Sequence, residues 1–337
     1  MTVKNVLFTN PLTDSQMASL RERQVSSNYH LLVADGEDQL KKQLREAHIL
    51  IVKDQDVSAK LLNVASNLQL IVMMVPGKGH VDLKASDKLR IPIETIYSPG
   101  LLGVAEHTIL LMLALVKSLP EVDYKTKHSL YADAVKPKVT SQQDYTFNWS
   151  GVQDMDVLYR HTLGLIGLGT IGRLVAQRAK AFQMEVLYYD PHRLEAEEEK
   201  RLGVQFVSLD KLLEKADFVS LHTRVTPETE KMIAERELKK MKNSAFLINT
   251  ARGRLVDEEA LYQALVNGEI AGAALDVFWK EPPERNNPLL SLENVVLTSH
   301  CAGIFNEDAH KMEVDFLVDA IDRVTSACVD SDSGSDS

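Results

Sequence analysis

The stretch from Thr162 to Asp190 limits most strongly what this chain can fold into. It contains a short apolar run, three glycines in G-x-G-x-x-G spacing, an amphipathic segment from Ile171 to Phe182 and a second apolar run from Val186 to Tyr189. This order predicts a strand, a tight turn, a helix and a second strand. Such a turn brings backbone N–H groups and a helix N-terminus close to phosphate, so the stretch predicts a dinucleotide-binding site.

Each glycine of this motif has its own predicted task. Gly167 permits the turn, Gly169 lets the backbone approach a pyrophosphate, and Gly172 lets the helix pack closely on the strand. The residues between the last two glycines begin the helix. The predicted phosphate loop therefore consists of Gly167, Gly169, Thr170, Ile171 and Gly172.

Asp190 ends the second predicted strand, where a carboxylate can accept hydrogen bonds from an adenosine ribose. Its negative charge would repel a ribose 2′-phosphate, so we expect NAD(H) rather than NADP(H). Arg193 lies close by and could bind that phosphate, although a solvated position in a turn is the simpler interpretation.

Length, charge and cysteine content narrow the class of protein. A chain of 337 residues exceeds the usual size of one core, so two domains are expected. The net charge of −10 argues against nucleic acid as a partner, because that binding needs clustered Lys and Arg. The longest apolar run, Ile109 to Val116, is too short to span a bilayer. We therefore expect a soluble protein that binds no membrane.

The first residues contain no apolar leader segment, and the only cysteines, Cys301 and Cys328, are too few for a disulfide framework or a cysteine-based zinc site. These features predict a cytoplasmic protein without a metal site.

Apolar runs alternate with helical patterns on both sides of the glycine motif, which indicates parallel strands joined by crossovers. The predicted fold class is α/β, with two doubly wound parallel-sheet domains. The strongly apolar helix Glu106 to Leu119 suits burial between two lobes, and residues 120–160 form a long irregular segment that is functional or held by a partner. A last helical pattern covers Glu307 to Val324. Residues 328–337 are predicted to form a disordered tail.

Unusual polar residues follow the last three predicted strands of the second sheet. Arg252 follows Ala245 to Asn249, Glu281 follows Ala271 to Val277, and His300 follows Val295 to Thr298. The carboxyl ends of parallel strands are where open α/β sheets bind ligands. Each residue alone is compatible with a solvated loop, but together they predict a proton-transfer and anion-binding set.

The segments GLGTIG, INTARGRLVDEEALYQAL, AGAALDVFWKEPP and NVVLTSHCAG resemble the signatures of the D-isomer-specific 2-hydroxyacid dehydrogenase family. The shorter motifs VDL and VAEH extend the resemblance toward the amino terminus. The family's fold implies a Rossmann NAD-binding domain over residues 103–304. It also implies a flavodoxin-like substrate domain, residues 1–102 completed by 305–327, with a cleft between the two domains.

The resemblance makes His300 the general acid/base, Glu281 its carboxylate partner and Arg252 the binder of the 2-oxo acid. It places Asp276 near the nicotinamide, and His222, Thr223, Pro227, Thr250 and Ala251 along the cofactor cleft. It also implies homodimers formed through the NAD-binding domain, with residues 120–160 wrapping the partner. His107 is a rival base that is more readily explained as structural, and Cys301 is interpreted as packing.

The loop before VDL departs from the family pattern, in which backbone N–H groups bind the substrate carboxylate. Pro76 has no N–H to donate, so Gly77 and Lys78 either supply the donors alone or are helped by another side chain. Lys53, at the end of the strand Ile49 to Val52, is the second candidate for binding the anionic end of the substrate. The segment SPGLLG before VAEH also lacks the family's usual Asn-Thr pair, which weakens the expectation for part of the nicotinamide contact.

The leading interpretation is an NAD(H)-dependent reductase of a small 2-oxo acid such as glyoxylate, hydroxypyruvate or pyruvate. An alternative from another class is an NAD-sensing regulatory or corepressor-like binding protein on the same fold, since fold alone does not decide function. A formate dehydrogenase is disfavoured, because that branch pairs its histidine with Gln where Glu281 stands.

Overall fold

The described part of the chain contains two sheets of parallel strands. The computed structural model describes residues 4–11, 13, 17–20, 29–53, 55–75, 80–131, 133–304, 314–319 and 321–322. The described residues up to Leu102, with those from Ile304 onwards, form one compact unit, called here the amino-terminal unit. Gly103–Gly303 form the other, called the central unit. Each unit contains one sheet, and every strand pair in both sheets is parallel.

The sheet of the amino-terminal unit has five strands in the order β2-β1-β3-β4-β5. This is the flavodoxin-like order of a doubly wound sheet. Short helices connect the strands after β2. The elements are β1 (Lys4–Phe8), β2 (Tyr29–Val33), α1 (Glu37–Gln43), β3 (Ile49–Val52), α2 (Ala59–Leu62), β4 (Leu70–Val75), α3 (Leu83–Lys88) and β5 (Ile93–Tyr97).

The sheet of the central unit has seven strands in the order β12-β11-β10-β9-β6-β7-β8. From β6 the chain runs outward to β8 and then returns to β9 on the other side of β6. Ligands of open α/β sheets bind at such a switch point, outside the carboxyl ends of the strands. The strands are β6 (Thr162–Ile166), β7 (Glu185–Tyr189), β8 (Gln205–Phe206), β9 (Phe218–Leu221), β10 (Phe246–Asn249), β11 (Gly272–Leu275) and β12 (Val295–Leu297).

Helices cover the central sheet, and every residue of β9 and β11 is buried. Burial on both faces explains why these strands are continuous apolar runs rather than alternating patterns. The helices are α4 (Pro99–Val116), α5 (Leu119–Lys127), α6 (Thr170–Ala181), α7 (Ala196–Leu202), α8 (Leu209–Lys215), α9 (Glu235–Leu238) and α10 (Glu258–Val266). Both predicted sheets and the α/β fold class are confirmed.

Helix α4 begins seven residues before the predicted start at Glu106 and ends at Val116 rather than Leu119. With 18 residues and a mean hydropathy of 1.7, it is long and apolar enough to cross a membrane by length and composition. The prediction from the shorter run Ile109 to Val116 therefore underestimated the length of the apolar helix. However, 56% of the helix is buried inside the protein.

The prediction of an irregular segment over residues 120–160 is wrong for its first part, where α5 continues to Lys127. This helix has no buried residue, so it shows no apolar period. Its support is local, because Lys125 pairs with Glu121 at 2.7 Å and Lys127 pairs with Asp123 at 2.9 Å, each one helical turn apart. From His128 to Arg160, the described residues form turns and loops.

Three further short helices, α3, α7 and α9, were not predicted, and each buries a single residue. The predicted carboxyl-terminal helix Glu307 to Val324 is helical where it is described, at 314–319 and 321–322. The predicted tail, 328–337, lies outside the described residues.

Candidate active site

The glycine loop between β6 and α6 has the geometry of a phosphate-binding turn. Gly167 has a φ of +95°, and a Cβ there would lie 2.6 Å from the carbonyl oxygen of His222. A Cβ on Gly172 would lie 2.4 Å from the carbonyl oxygen of Gly167. At Gly169, the N-cap of α6, a Cβ would meet nothing within 4 Å. The turn therefore requires glycine at two positions and leaves open space at the third.

Thr170 and Ile171 form the first turn of α6, a helix of 12 residues. The N–H groups of a first turn have no acceptors within the helix and attract anions. The loop and this helix end therefore fit the pyrophosphate of a dinucleotide.

Asp190 follows β7 and fixes the glycine loop from the side. Its Oδ2 accepts a hydrogen bond from the Leu168 N–H at 2.9 Å, and its Oδ1 accepts one from the His192 N–H at 2.9 Å. A carboxylate oxygen can accept two hydrogen bonds, so each oxygen keeps capacity for a ribose hydroxyl.

Arg193 is held by Glu199 rather than directed at the position of a ribose phosphate. Its Nε and Nη2 donate to the two oxygens of Glu199 at 2.9 and 3.2 Å, and its guanidinium lies over the Phe206 ring, 5.2 Å from the centroid. Tyr188 also donates to Glu199 at 2.8 Å. The hydrogen bonds from Arg193 and then Tyr188 hold the pKa of Glu199 below its usual value. The ion pair therefore stays charged at neutral pH.

His222 follows β9 and contributes a neutral ring. Its Nε2 lies 2.9 Å from the Ser220 hydroxyl, and burial lowers the pKa of His222 to about 4. Thr223 is partly buried beside it, and Pro227 is exposed in the turn that follows. The carbonyl of His222 faces Gly167, so this segment lies directly against the glycine loop.

The turn after β10 carries Thr250, Ala251 and Arg252 and is held by buried Asn249. The side chain of Asn249, 1% exposed, accepts from the Ala251 N–H at 3.0 Å and donates to the Arg252 carbonyl at 2.9 Å. A Cβ on Gly253 would lie 2.0 Å from the Phe278 carbonyl carbon, so this turn packs against the backbone that follows β11. Arg252 itself is exposed, and its Nη1 donates to the Ala251 carbonyl at 2.6 Å.

Glu281 and His300 form a close pair of titratable groups. His300 Nδ1 lies 2.5 Å from Glu281 Oε2, while Glu281 Oε1 accepts from the Phe278 N–H at 3.0 Å. Burial alone would raise the pKa of Glu281, but the hydrogen bonds from His300 and Phe278 and the charges of His300 and Arg252 outweigh it, so the pKa is lowered. The His300 side chain is 47% exposed, so its ring is accessible.

Asp276, which follows β11, anchors the loop that carries His300. It is fully buried. Its carboxylate accepts from the Thr298 hydroxyl at 2.6 Å, the Cys301 N–H at 3.0 Å and the Ala302 N–H at 2.9 Å. Burial would raise the pKa of Asp276, but these hydrogen bonds and the nearby charge of His107 lower it.

The backbone of His300 has a φ of +54°, in the left-handed region, where a side chain is strained. Its N–H donates to the Asp276 carbonyl at 2.8 Å. The hydrogen bonds to Asp276 therefore stabilise the unusual backbone at this histidine.

Lys53 lies in the amino-terminal unit. It is exposed directly after β3, and its N–H donates to the Thr9 hydroxyl at 3.2 Å. It lines a small pocket at the carboxyl ends of β1, β3 and β4, formed by Phe8, Thr9, Asn10, Pro11, Ile51, Lys53 and Met74. Gly77 and Lys78, the other two predicted substrate-binding residues, lie outside the described residues.

Residues 109–302 match the family model described as D-isomer specific 2-hydroxyacid dehydrogenase, NAD binding domain. The chain belongs to this family. It is 40% identical over 258 residues to a glyoxylate reductase of Korarchaeum cryptofilum, covering 76% of this chain and 73% of the relative. It is 35% identical over 287 residues to a hydroxypyruvate reductase of Thermotoga maritima, covering 83% of this chain and 86% of the relative.

The structure is similar to the NAD-complexed form of a D-isomer specific 2-hydroxyacid dehydrogenase from Lactobacillus delbrueckii ssp. bulgaricus. The TM-score is 0.56 at 26% identity, and the match covers 96% of this chain and 98% of that chain. The protein is therefore an NAD-dependent oxidoreductase, and NAD(H) is its cofactor.

Several residues of this 2-hydroxyacid dehydrogenase were not identified from sequence as parts of the site. Asn249 and Thr298 hold the two loops that carry Arg252 and His300. The available signal was a polar residue at the end of an otherwise buried strand. His107, interpreted from sequence as structural, has its Nε2 3.1 Å from the Thr298 hydroxyl.

The described residues of the dehydrogenase include one set of three potential metal ligands, namely His107, Asp276 and Cys301, with donor atoms within 4.8 Å of one another. The carboxylate of this set already accepts hydrogen bonds from Thr298, Cys301 and Ala302. Its geometry is that of a hydrogen-bonded anchor.

Proposed function

We propose that this dehydrogenase reduces a small 2-oxo acid, with His300 as the acid that protonates the carbonyl oxygen. The observation that carries the proposal is the 2.5 Å contact between His300 Nδ1 and Glu281 Oε2 on loops of the central unit. Because Glu281 engages Nδ1, the second ring nitrogen, Nε2, is the one that would exchange a proton with the substrate. A carboxylate at this distance stabilises the imidazolium and fixes the orientation of the ring.

The chemistry requires a proton and a hydride to be added to one carbonyl group. NADH, when bound, supplies the hydride to the carbonyl carbon. His300 donates its Nε2 proton to the oxygen, which becomes the hydroxyl of the 2-hydroxy acid, and His300 is left neutral. In the reverse direction neutral His300 accepts the hydroxyl proton. Glu281 keeps its charge in both directions, because its pKa is lowered.

Arg252 is the proposed binder of the substrate carboxylate. Its exposed guanidinium can form two parallel hydrogen bonds with a carboxylate, which a lysine cannot do. We further propose that Lys53, and Gly77 with Lys78, contribute to binding the anionic end of the substrate. Glyoxylate, hydroxypyruvate and pyruvate are the substrate candidates, and two of the relatives carry the names glyoxylate reductase and hydroxypyruvate reductase.

The remaining site proposals concern the cofactor. The glycine loop residues and the first turn of α6 would bind the pyrophosphate, and Asp190 the adenosine ribose. His222, Thr223, Pro227, Thr250 and Ala251 would line the cofactor site, and Asp276 would act beside the nicotinamide through the loop it anchors. The engagement of Arg193 by Glu199 supports a preference for NAD(H) over NADP(H).

We also propose that the protein forms a homodimer through the central unit. Large apolar side chains are exposed between residues 130 and 159, among them Val139 at 95% and Phe147 at 86%. Such a concentration is typical of an interface. If the proposal is right, light scattering after gel filtration gives twice the mass of 37.7 kDa, and Phe147→Asp lowers it.

A cytoplasmic location is proposed because two cysteines are too few for a disulfide framework, which fits a reducing compartment. Neither nucleic acid nor a membrane is part of the proposed function.

The test of the proposed function is NADH consumption with a panel of glyoxylate, hydroxypyruvate and pyruvate. We expect turnover of at least one, with the product identified as the corresponding 2-hydroxy acid. His300→Ala, which should still bind NADH, is the matched control. NADH binding without turnover of any panel member would instead favour the alternative, an NAD-sensing binding protein.

A further inference from the structure

Two consecutive residues of α4, His107 and Thr108, each contact one of the two loops that carry the proposed site. His107 Nε2 lies 3.1 Å from the Thr298 hydroxyl, two residues before His300. The Thr108 hydroxyl lies 3.0 Å from the Thr250 hydroxyl, two residues before Arg252. All of these residues belong to the central unit.

The hydroxyl protons can be assigned in the first contact. Thr298 Oγ1 lies 2.6 Å from Asp276 Oδ1, a carboxylate oxygen that can only accept, so the single hydroxyl proton of Thr298 goes to Asp276. The contact with His107 must then use the proton on His107 Nε2, which Thr298 accepts. The result is a relay in which His107 donates to Thr298 and Thr298 donates to Asp276.

The hydroxyl protons of the second contact, between Thr108 and Thr250, can be assigned in the same way. Thr108 Oγ1 donates to the Val104 carbonyl of its own helix at 2.8 Å, which uses its only proton. Thr250 must therefore donate to Thr108. Both hydroxyl groups are in residues that are almost completely buried, with Thr108 0% and Thr250 6% exposed, so water does not replace the contact.

We propose that His107 and Thr108 are positioning residues of the reaction, which set His300 and Arg252 in place through Thr298 and Thr250. The relay from His107 reaches the Asp276 carboxylate, which also accepts the N–H groups of Cys301 and Ala302. These are the contacts that hold His300 in its left-handed backbone conformation. The catalytic part of this proposal rests on the proposed function.

The distance between His107 and Asp276 supports the role of His107 as a positioning residue. His107 Nε2 is 3.7 Å from Asp276 Oδ1, with side chains that are 13% and 1% exposed, and the charge of His107 contributes to lowering the pKa of Asp276. A carboxylate that stays ionised accepts stronger hydrogen bonds than a neutral one. His107 Nε2 therefore lies next to the Asp276 carboxylate as well as to the Thr298 hydroxyl.

The test compares pairs of variants that differ only in the hydroxyl or the donor group. Thr298→Val and Thr108→Val remove a hydroxyl at nearly constant shape, whereas Thr298→Ser and Thr108→Ser keep it. His107→Leu removes the Nε2 donor, whereas His107→Gln supplies an amide donor. Each variant is measured for kcat, for KM of the 2-oxo acid, for NADH affinity and for amide hydrogen exchange.

We expect Thr298→Val, which breaks a hydrogen bond to a buried charge, to lower kcat by about 10-fold to 100-fold. We expect His107→Leu, which breaks a hydrogen bond to a neutral hydroxyl, to lower kcat by roughly 10-fold or less. The NADH affinity should change less than kcat, and the serine and glutamine variants should recover most of the loss. The pH at which activity falls should stay in place, because Glu281 still contacts His300. Thr108→Val should instead raise KM, because it acts on the Arg252 loop.

Hydrogen exchange tests the anchors without any substrate. Thr298→Val and His107→Leu should speed exchange of the His300, Cys301 and Ala302 amides, and Thr108→Val should speed exchange of the Ala251 amide. Unchanged exchange in these loops, or faster exchange spread evenly over the central unit, overturns the proposal. If wild type reduces no 2-oxo acid, the proposed function has failed while the exchange data still decide whether the anchors exist.

Discussion

The two sheets share one parallel, doubly wound architecture, yet their strand ends are built differently. In the central unit, buried Asn249 ends β10 and buried Asp276 follows β11, and both accept hydrogen bonds from the loops that carry Arg252 and His300. In the amino-terminal unit, Lys53 follows β3 as an exposed side chain whose backbone N–H meets the Thr9 hydroxyl. Buried Asn249 and Asp276 each hold a reactive loop by two or more hydrogen bonds, whereas buried Thr9 contacts Lys53 only through its backbone N–H and leaves that side chain free to adapt.

The largest expected effect comes from removing the reactive residue on the anchored side. His300→Ala should lower kcat/KM for the 2-oxo acid by about 10²-fold to 10⁴-fold, because general acid–base catalysis contributes that much. Oxidation of the 2-hydroxy acid should fall similarly. Steady-state kinetics in both directions measure this, with NADH titration as the control for binding. Activity within a few-fold of wild type would exclude His300 as the acid.

The partly buried His222, which follows β9 in the central unit, should make stability depend on pH. The pKa of His222 is lowered from 6.5 to about 4, so the unfolded state takes up a proton before the folded state does. The stabilisation is complete above pH 6.5 and is lost as pH falls toward 4. At most it amounts to about 3 kcal/mol.

Urea unfolding of wild type and His222→Gln at pH 7 and pH 5 measures that contribution. Between pH 7 and pH 5, the free energy of unfolding should fall by less in the variant than in wild type, because the other titratable groups are the same in both proteins. The same loss in both proteins would mean that His222 is not the group responsible.

Cofactor choice should change when the charge at the end of β7 is removed. We expect wild type to prefer NADH over NADPH by kcat/KM, and Asp190→Ser to narrow that preference by about tenfold, or 1.4 kcal/mol. NADH affinity should also fall, because Asp190 holds the Leu168 N–H. Glu199→Gln weakens the contact that holds Arg193, so it should raise kcat/KM for NADPH without lowering the affinity for NADH. A wild type that uses NADPH as well as NADH contradicts the assignment.

The smallest effect is expected in the amino-terminal unit. Lys53→Met should raise KM for the 2-oxo acid by a few-fold, roughly the loss of one exposed charge contact, with little change in kcat. Lys60→Met, an exposed lysine on α2, is the matched control, and Lys78→Met tests the other lysine. If KM stays the same in both Lys53→Met and Lys78→Met, neither lysine binds the substrate.

The sequence predicted the features that depend on local pattern. The span Thr162 to Asp190 folds as strand, turn, helix and strand, with α6 within one residue of its predicted bounds. Apolar runs such as Phe218–Leu221 coincide with strands because they are buried on both faces. The polar helix α5 was missed because its support comes from ion pairs rather than from an apolar face.

Only part of the site could be predicted, because some of its contacts join residues that are far apart in the sequence. The chemical type of Arg252, Glu281 and His300 is visible in the sequence, as is their position after strands. The role of Asp276 as an anchor is not visible, because it depends on N–H groups of Cys301 and Ala302 that fold back onto it from 25 or more residues away. The pairing of Thr108 with Thr250 spans 142 residues and follows from tertiary structure alone.

The central proposal is that the charge of Glu281, whose Oε2 lies 2.5 Å from His300 Nδ1, assists proton transfer by His300. The lowered pKa of Glu281 means that its charge persists through the neutral range, where it favours the imidazolium. In Glu281→Gln the shape remains and the charge is lost. The direct measurement is a pair of pH profiles of kcat/KM, for 2-oxo acid reduction and 2-hydroxy acid oxidation, in wild type and Glu281→Gln, with chemistry limiting the rate.

We expect reduction in wild type to fall as pH rises while oxidation increases, and both transitions to move to lower pH in Glu281→Gln. Profiles that keep their position in the variant would contradict the account, since another residue would then titrate or Glu281 would only orient the ring.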